Sequence, residues 1–255
     1  MSVKIIANPS APHQVRHAKA IAQGFARHGV KADIGHHPRP EDATVVCWGW
    51  RQGKVWRQQG KSVLVMERGY IGDRMNVWSS LAWNGLNGRG NVPPVPDDGG
   101  ARFRANHDGL LREWNPTGDY VLIIGQVPGD AALGGRDLHG WYVEQAAKDW
   151  GRPVYFRPHP LAHRRGPVRQ VPNAPVKNGD LSAALEGAAW VVTFNSNTAV
   201  DSLLAGKATQ VDDEGSMAWR VTNREQWAYR LAWRQWTMEE LESGFALEHV
   251  GVGDG

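Results

Sequence analysis

The chain has 255 residues, 41% hydrophobic and 22% charged, which is ordinary for a soluble globular protein and leaves room for two α/β domains. Its net charge of +3 permits an anionic partner without requiring one, and its single cysteine, Cys47, excludes an intrachain disulfide framework. No apolar run approaches the ~18–20 residues that span a bilayer and no signal peptide is recognisable, so we expect no membrane insertion and a cytoplasmic location.

The first half of the chain predicts alternating strands and helices. Short apolar and β-branched runs predict four strands, at residues 3–8, 30–35, 44–50 and 61–70. Helical periodicity predicts two intervening helices, at residues 13–29 and 51–59. Such alternation is typical of βαβ units with a parallel sheet, so residues 1–112 are predicted to form a first Rossmann-like domain.

The second half restarts the pattern and predicts a second Rossmann-like domain over residues 113–223. Its buried strands are predicted at 120–125, 153–156 and 190–194. In the last segment, residues 224–255, a long helix is predicted over 224–244, and its wide apolar surface favours packing that bridges the two domains. The predicted fold class is therefore α/β, with two Rossmann-like domains, parallel sheets and a bridging C-terminal helix.

A polar cluster follows each buried strand of the second half: QVPGD at 126–130, RPHP at 157–160 and NSNT at 195–198. Parallel sheets bind ligands beyond the carboxyl ends of their strands, so the three clusters predict a single site. The side chains expected to meet there are Gln126, Asp130, Arg157, His159, Asn195, Ser196, Asn197 and Thr198.

The chemistry of these clusters favours an anion. NSNT opens a predicted helix, where a phosphate site and an ordinary N-cap are both open interpretations. Two prolines frame His159 and hold it at a fixed angle, so His159 and Arg157 would hold a phosphate together with backbone amides. The basic stretch 157–170 is either a solvated loop or a loop that faces an anion. No metal site is predicted, because no second ligand stands at suitable spacing.

The three motifs, in this order, resemble the nucleotide-binding half of capsule-polysaccharide-type glycosyltransferases over residues 118–215. PVYFRPHP carries a His-Pro motif and VVTFNSNTAVDSLLAGK a Ser/Thr motif, as in the Kdo-transferase and sialyltransferase-like branch. The resemblance implies a two-domain GT-B fold, a UDP- or CMP-linked nucleotide sugar bound by the second domain, and no metal or other cofactor. It also implies that His159 and Ser196 contact the donor phosphate.

The segments at 79–90 and 226–244 look most like short phage-encoded members of this group, some of which modify hydroxymethylated bases in DNA. This resemblance implies a location in the host cytoplasm. Together with the basic balance and the 13 tryptophans, it favours a hydroxymethylated pyrimidine in double-stranded DNA as the acceptor. The residues predicted to contact that acceptor are Trp50, Arg51, Trp83 and Arg89.

A GT-B enzyme also needs a general base that takes the proton from the acceptor hydroxyl. Glu67 ends the fourth apolar strand and is the first candidate, and Asp73 follows it closely. Asp130 is the rival, although it would alternatively bind ribose or sugar hydroxyls. Three other functions stay open: a glycan or capsule-type glycosyltransferase, a nucleotide-sugar epimerase, and a non-catalytic nucleic-acid-binding module whose binding weakens steeply with salt.

Overall fold

Strands and helices alternate along residues 2–252, the part of the chain that the computed structural model describes. The strands are β1 Val3–Ile6, β2 Ala32–Gly35, β3 Thr44–Trp48, β4 Ser62–Arg68, β5 Ser79–Trp83, β6 Tyr120–Ile124, β7 Val154–Arg157, β8 Ala188–Thr193, β9 Ala208–Val211 and β10 Gln235–Trp236. The α-helices are α1 Pro12–Arg27, α2 Trp50–Gln58, α3 Ala101–His107, α4 His139–Ala147, α5 Leu181–Glu186, α6 Thr198–Leu204, α7 Arg224–Ala232, α8 Met238–Ser243 and α9 Phe245–His249.

These elements divide into two compact units. The first comprises the described residues up to Arg102 and from Tyr229 onward, and the second comprises Phe103–Ala228. Each unit has its own sheet, and neighbouring strands in both sheets pair mainly in parallel. The predicted α/β class with parallel sheets is therefore confirmed. The predicted domain limits at 112 and 223, and the functional roles given to the segments, stay predictions.

The sheet of the first unit has the order β10-β5-β4-β3-β1-β2. Strands β1 to β4 pair in parallel, whereas β5 is antiparallel to both of its neighbours, β4 and β10. Side chains alternate between its faces, so Val46 and Leu64 pack toward α1 while Val45 and Cys47 pack toward α2. Burial raises the pKa of the Cys47 thiol to about 12, which makes the thiol unreactive.

The sheet of the second unit has the order β7-β6-β8-β9 and is parallel throughout. Val121 and Ile123 of β6 face the core beside α4, and Leu122 and Ile124 face the core beside α5. Both faces are covered, which explains the uninterrupted apolar sequence of this strand. The carboxyl ends of the four strands lie at one edge, which we call the carboxyl edge of the sheet.

The C-terminal segment is not the single long helix predicted over 224–244. Helix α7 ends at Ala232, β10 pairs with β5, and α8 and α9 follow as separate short helices. Thr237 and Glu240 form a capping box that begins α8, and Gly244 ends it in the left-handed conformation with φ 86°. The chain passes from the second unit to the first within α7, between Ala228 and Tyr229, and the predicted bridging role of the segment stays a prediction.

Tryptophans of this segment are used for packing within the first unit. The guanidinium of Arg102 lies over the rings of Trp233 and Trp236, at 4.8 and 4.9 Å from their centroids. It also pairs with the carboxylate of Glu240 at 2.5 Å. The aromatic ring of Phe245 contacts both tryptophans. Part of the tryptophan enrichment is therefore structural and needs no ligand to explain it.

Candidate functional site

The carboxyl edge of the second unit is held together by Gln126 and Asn195. The amide Nε2 of Gln126 donates to Asn195 Oδ1 at 2.6 Å, and the backbone N–H of Asn195 donates to Gln126 Oε1 at 3.0 Å. Asn195 Nδ2 also donates to the Asp213 carboxylate at 2.7 Å. These two predicted donor-binding residues therefore join the ends of β6, β8 and β9 to one another.

Ser196 and Thr198 interact with each other at the start of α6. The Ser196 hydroxyl accepts a hydrogen bond from the backbone N–H of Thr198 and donates to the Thr198 hydroxyl, both at 3.2 Å. Its own N–H donates to Thr193 Oγ1 at 3.1 Å. Ser196 thus forms a local side-chain turn directly before Asn197, the N-cap residue of α6. Asn197 lies between the two residues and makes no side-chain cap bond.

A cavity of about 630 Å³ lies beside this edge, on the α4 side of the sheet. The loops that follow β6 and β7 form most of its wall, and of the predicted residues it includes Gln126 and His159. Its apolar floor belongs to the core and consists of Leu133, Leu138, Tyr142 and Phe156. Its basic side chains are Arg136, His139, His159, Arg165 and Arg169. We call it the basic cavity.

The backbone around His159 fixes its tautomer. The N–H of Leu161 donates to His159 Nδ1 at 3.0 Å, so the ring proton of the neutral form is on Nε2. Burial lowers the pKa of His159, although the negative charge of Asp130 raises it in part. Asp130 itself accepts a hydrogen bond from the Ala132 N–H at 2.8 Å and begins a 3-10 turn. His159 is thus a neutral N–H donor at the wall of the basic cavity.

Arg157 does not join His159. Side chains alternate along β7, and Phe156 lines the basic cavity, so Arg157 faces the other side of the sheet. Its guanidinium donates to the carbonyl of Gly179 at 2.6 Å and to that of Lys177 at 3.4 Å. Arg157 therefore makes structural contacts on the face opposite the basic cavity, and its predicted phosphate contact stays a prediction.

Arg136 and His139 were not predicted as site residues, and they line the cavity from the loop before α4 and from the first residue of α4. Of the two interpretations of the stretch 157–170, a loop that faces an anion fits Arg165 and Arg169, which line the cavity. Arg169 contacts both carboxylate oxygens of Asp137 at 2.6 Å, in a solvent-exposed pair that contributes little stability. The cavity retains an excess of positive charge.

Glu67 lies at the carboxyl edge of the first unit. It is the last residue but one of β4 and is half-buried, and its Oε1 accepts a hydrogen bond from the N–H of Arg68 at 3.0 Å. A Cβ placed on Gly49 would stand 3.6 Å from Glu67 Oε2, so the carboxylate lies beside the start of α2. Trp50 and Arg51 occupy that first turn, and the structure therefore brings these three predicted residues to one edge.

Trp83 and Arg89 lie at the opposite edge of the same sheet. Because β5 is antiparallel to β4, its end residue Trp83 pairs with Leu64, whereas Glu67 pairs with Ser80. The indole N–H of Trp83 donates to the Val250 carbonyl at 2.6 Å, and Arg89 belongs to the loop that follows. The four residues predicted to contact DNA are thus divided between two edges of the sheet because β5 runs antiparallel to β4, and their contact with DNA stays a prediction.

Asp73 has a turn-forming role. Its Oδ1 accepts hydrogen bonds from the N–H groups of Met75 and Asn76, at 3.0 and 3.1 Å, and the Asn76 amide donates to both carboxylate oxygens. The side-chain hydrogen bond from Asn76 is the largest cause that lowers the pKa of this carboxyl. These hydrogen bonds stabilise the ionised carboxylate and make Asp73 a weak proton acceptor.

Two histidines at the same edge of the first unit were not predicted. His17 is buried, and its Nδ1–H donates to the carbonyl of His13 at 2.6 Å, so its Nε2 accepts from the Ser79 hydroxyl at 2.6 Å. Both imidazoles contact Trp48 edge-on, with centroids 5.0 and 4.9 Å away. Burial is the main cause that lowers the pKa of each histidine. These side chains lie on the α1 face, opposite Glu67.

Two further findings apply to residues 2–252. Their His, Cys, Asp and Glu side chains form no group of three arranged to bind a metal ion. None of their helices combines the length and the apolar character needed to cross a bilayer.

Two solved structures from Thermosulfurimonas dismutans KpsC have a similar fold. The β-Kdo 2,7-transferase superposes with a TM-score of 0.61 over 97% of this chain and 100% of that chain, at 12% identity. The β-Kdo 2,4-transferase gives a TM-score of 0.58 over 90% of each chain, at 16% identity. No protein-family model matches the sequence, and no curated protein matches it. The similarity confirms the resemblance to Kdo transferases at the level of the fold and carries no support for a phage origin.

Proposed function

We propose that the protein is a glycosyltransferase that moves a sugar from a nucleotide sugar to an acceptor hydroxyl. The observation that carries this proposal is the basic cavity beside the carboxyl edge of the second sheet, where parallel α/β sheets bind their ligands. The fold adds support, because the two similar structures are transferases of Kdo.

The second unit would bind the donor. Arg136, Arg165 and the Nε2–H of His159 supply donors for phosphate oxygens, and the floor with Tyr142 and Phe156 suits a flat base and ribose. These positive charges would also stabilise the phosphate that leaves when the sugar is transferred. On this basis we propose a metal-independent reaction, with a UDP- or CMP-linked sugar as the co-substrate.

The first unit would bind the acceptor, with Glu67 as the general base. Its half-buried carboxylate ends β4 and lies next to Trp50 and Arg51, which would contact the acceptor. Asp130 remains the rival base on the second unit. We also propose the two-domain GT-B organisation that the sequence resemblance implies.

A glycan hydroxyl is the acceptor that we favour. The two similar structures transfer Kdo, and the residues predicted to contact DNA are divided between two edges of the sheet. A hydroxymethylated pyrimidine in phage DNA stays a prediction of the sequence alone.

The proposal is tested by incubating the protein with a panel of nucleotide sugars and three kinds of acceptor. The acceptors are neutral and acidic oligosaccharides, hydroxymethylated duplex DNA and unmodified duplex DNA, and mass spectrometry identifies the products. We expect a glycosylated oligosaccharide with at least one donor. A glycosylated nucleoside would support the DNA acceptor instead. Absence of any product and of free nucleotide release, with every donor and acceptor, would contradict the glycosyltransferase proposal.

A further inference from the structure

One guanidinium nitrogen in the first unit is buried without a hydrogen-bond partner. Among the side-chain nitrogen and oxygen atoms of residues 2–252, two are fully buried without one, Arg234 Nη1 and Trp236 Nε1. The indole is neutral and is surrounded by aromatic rings, so leaving it unpaired costs little. Arg234 is charged and half-buried, and leaving one of its N–H groups buried without an acceptor is far less favourable. Burial accordingly lowers the pKa of Arg234.

The backbone next to Arg234 is held firmly. Gln235 is fully buried, and its Oε1 accepts hydrogen bonds from the N–H groups of Tyr70 and Ile71 at 2.6 and 2.8 Å. Its Nε2 donates to the Ile71 carbonyl at 3.2 Å. These bonds connect β10 to the residues that follow β4 and hold the backbone next to Arg234 in place.

The neighbouring phenol does not neutralise the guanidinium. Tyr70 hydrogen-bonds to Ser80, and burial raises the pKa of Tyr70 to about 12, although Arg234 acts in the opposite direction. The phenol is therefore protonated at neutral pH and acts as a hydrogen-bond donor beside the cation. The Ser80 hydroxyl donates to the Arg68 carbonyl at 3.1 Å, so the phenol O–H is used by Ser80, and Arg234 Nη1 is the donor that suits an incoming group with negative oxygen atoms.

This position lies at the carboxyl edge of the first sheet. Gln235 pairs with Ser80 across β10 and β5, and Ser80 pairs with Glu67 across β5 and β4. Glu67, Ser80 and Gln235 therefore lie side by side on three adjacent strands. Arg234 immediately precedes Gln235 in the sequence. The charges of Glu67 and Arg234 both influence the pKa of Tyr70, in opposite directions, so Tyr70 lies within electrostatic range of each.

We infer that Arg234 forms an oxyanion-binding site at this edge, with Tyr70 beside it, and that the site takes a carboxylate or a phosphate group. A guanidinium offers paired N–H donors that match both groups geometrically. Its orientation is fixed before binding, which lowers the entropic cost of association. In the proposed glycosyltransferase reaction, on which this part of the inference rests, the site would select acceptors that carry an acidic group near the reacting hydroxyl.

The direct test is NMR of isotope-labelled arginine side chains, with the Arg234 resonance assigned from its loss in Arg234→Lys. Inorganic phosphate and glucuronate are titrated separately, so that the two sources of negative oxygen are distinguished. We expect the Arg234 resonance to shift saturably with at least one of them, also in Arg165→Gln, which weakens the basic cavity. An Arg234 resonance that stays in place, or shifts without saturating, while the resonances of the basic cavity respond would overturn the inference.

A thermal-unfolding comparison adds a readout of stability. Arg234→Met keeps the aliphatic stem and removes the buried charge, and Arg230→Met alters an exposed arginine on α7 as the matched control. In the Arg165→Gln background, we expect Arg234→Met to keep or raise the Tm without ligand. We also expect it to weaken phosphate or glucuronate binding about tenfold or more, while Arg230→Met changes neither. Unchanged ligand affinity in Arg234→Met would overturn the inference.

Failure of this inference can be distinguished from failure of the proposed function. If the protein binds no nucleotide, the proposed function fails, yet the titrations still decide whether Arg234 binds an oxyanion. If nucleotide sugars are turned over and Arg234 does not respond to either anion, the inference alone fails.

Discussion

At the scale of single residues, the protonation of His159 is set by its own loop. The Leu161 N–H occupies Nδ1, and burial holds the pKa of the imidazole below 6.5. The neutral form with a proton on Nε2 therefore dominates at neutral pH, and the N–H can donate to a phosphate oxygen. Protonation would place a second proton on Nδ1 and break the hydrogen bond from Leu161.

This geometry predicts different effects for two substitutions of His159. His159→Gln keeps an N–H donor near the Nε2 position, whereas His159→Asn keeps an acceptor for Leu161 and loses that donor. We expect His159→Asn to weaken nucleotide binding by about 1.5–3 kcal/mol and His159→Gln to weaken it less, as measured by isothermal titration calorimetry. Equal losses in both variants would mean that Nε2 does not contact the ligand.

The same geometry predicts a flat pH dependence. Because the pKa of His159 is lowered, its charge does not change between roughly pH 7 and 8.5, and nucleotide affinity should stay constant over that range. A cationic histidine would instead lose affinity as the pH rises through its pKa. A wild-type affinity that falls with rising pH, and becomes flat in His159→Gln, would contradict the neutral donor.

Two carboxylates of the first unit differ in the contacts that they already make. Asp73 accepts several hydrogen bonds in its turn, whereas Glu67 ends a strand. We therefore expect Glu67→Gln to lower kcat by about 10²–10⁴-fold with little change in donor KM, and Asp73→Asn to act mainly on stability. Near-normal kcat in Glu67→Gln, with loss of turnover in Asp130→Asn, would show that the general base is Asp130 of the second unit and not Glu67.

At the scale of secondary-structure elements, the site of the second unit depends on how strand ends are joined. Asn195 connects β8 to β6 through Gln126 and to β9 through Asp213. Asn195→Ala would leave the buried Asp213 carboxylate without its amide donor, at a cost of about 1–3 kcal/mol in the free energy of unfolding. Urea denaturation measures this, with Asn178→Ala, at an exposed position, as the control. Equal free energies of unfolding for the two variants would show that the hydrogen bonds of Asn195 contribute little to stability.

Ser196 distinguishes the two interpretations of the NSNT motif. If the Ser196 hydroxyl only stabilises the turn before α6, its replacement by alanine costs about 1 kcal/mol of stability and leaves nucleotide affinity unchanged. As a phosphate ligand, its replacement weakens nucleotide binding, as the resemblance to Kdo transferases implies. Calorimetry and denaturation of Ser196→Ala together decide between them, and the hydrogen bonds between Ser196 and Thr198 favour the structural role.

Whole strands of the second unit were predictable from sequence, but the direction of individual side chains was not. The runs YVLII and VVT are buried on both faces, and this pattern allows little besides a parallel strand. Arg157 and His159 are two residues apart, and only the fold shows that β7 ends at Arg157 and turns the two side chains apart. The rule that parallel sheets bind ligands beyond the carboxyl ends of their strands predicted the position of the site. It did not predict which side chains point into it.

The errors in the first unit have physical causes. The capping box at Thr237 was a readable start signal and the glycine at 244 a readable stop signal, but the apolar run across them predicted one helix. The reversal of β5 depends on pairing between distant residues, which no local pattern records, and it moved Trp83 to the other edge. Arg136 follows Gly134 and Gly135, which have φ values of 60° and 88°, in a loop where no periodic pattern predicts side-chain direction.

At the scale of the whole molecule, each compact unit presents one charged site at the carboxyl edge of its sheet. The second unit has the basic cavity, and the first has Glu67 close to Tyr70 and the unpaired Arg234. This division of chemistry fits a transferase with two substrates, since one site binds a phosphate leaving group and the other a hydroxyl and its base. An epimerase would not need the second site.

The most direct test of the account is calorimetric titration of CMP and UDP into the wild-type protein, Arg165→Gln and Arg230→Met. We predict saturable one-to-one binding of at least one nucleotide. Loss of Arg165 from the basic cavity should weaken this binding about tenfold or more, whereas loss of the exposed Arg230 should leave it unchanged. Binding of neither nucleotide, or binding that Arg165→Gln and His159→Asn leave unaltered, would contradict the assignment of the donor site.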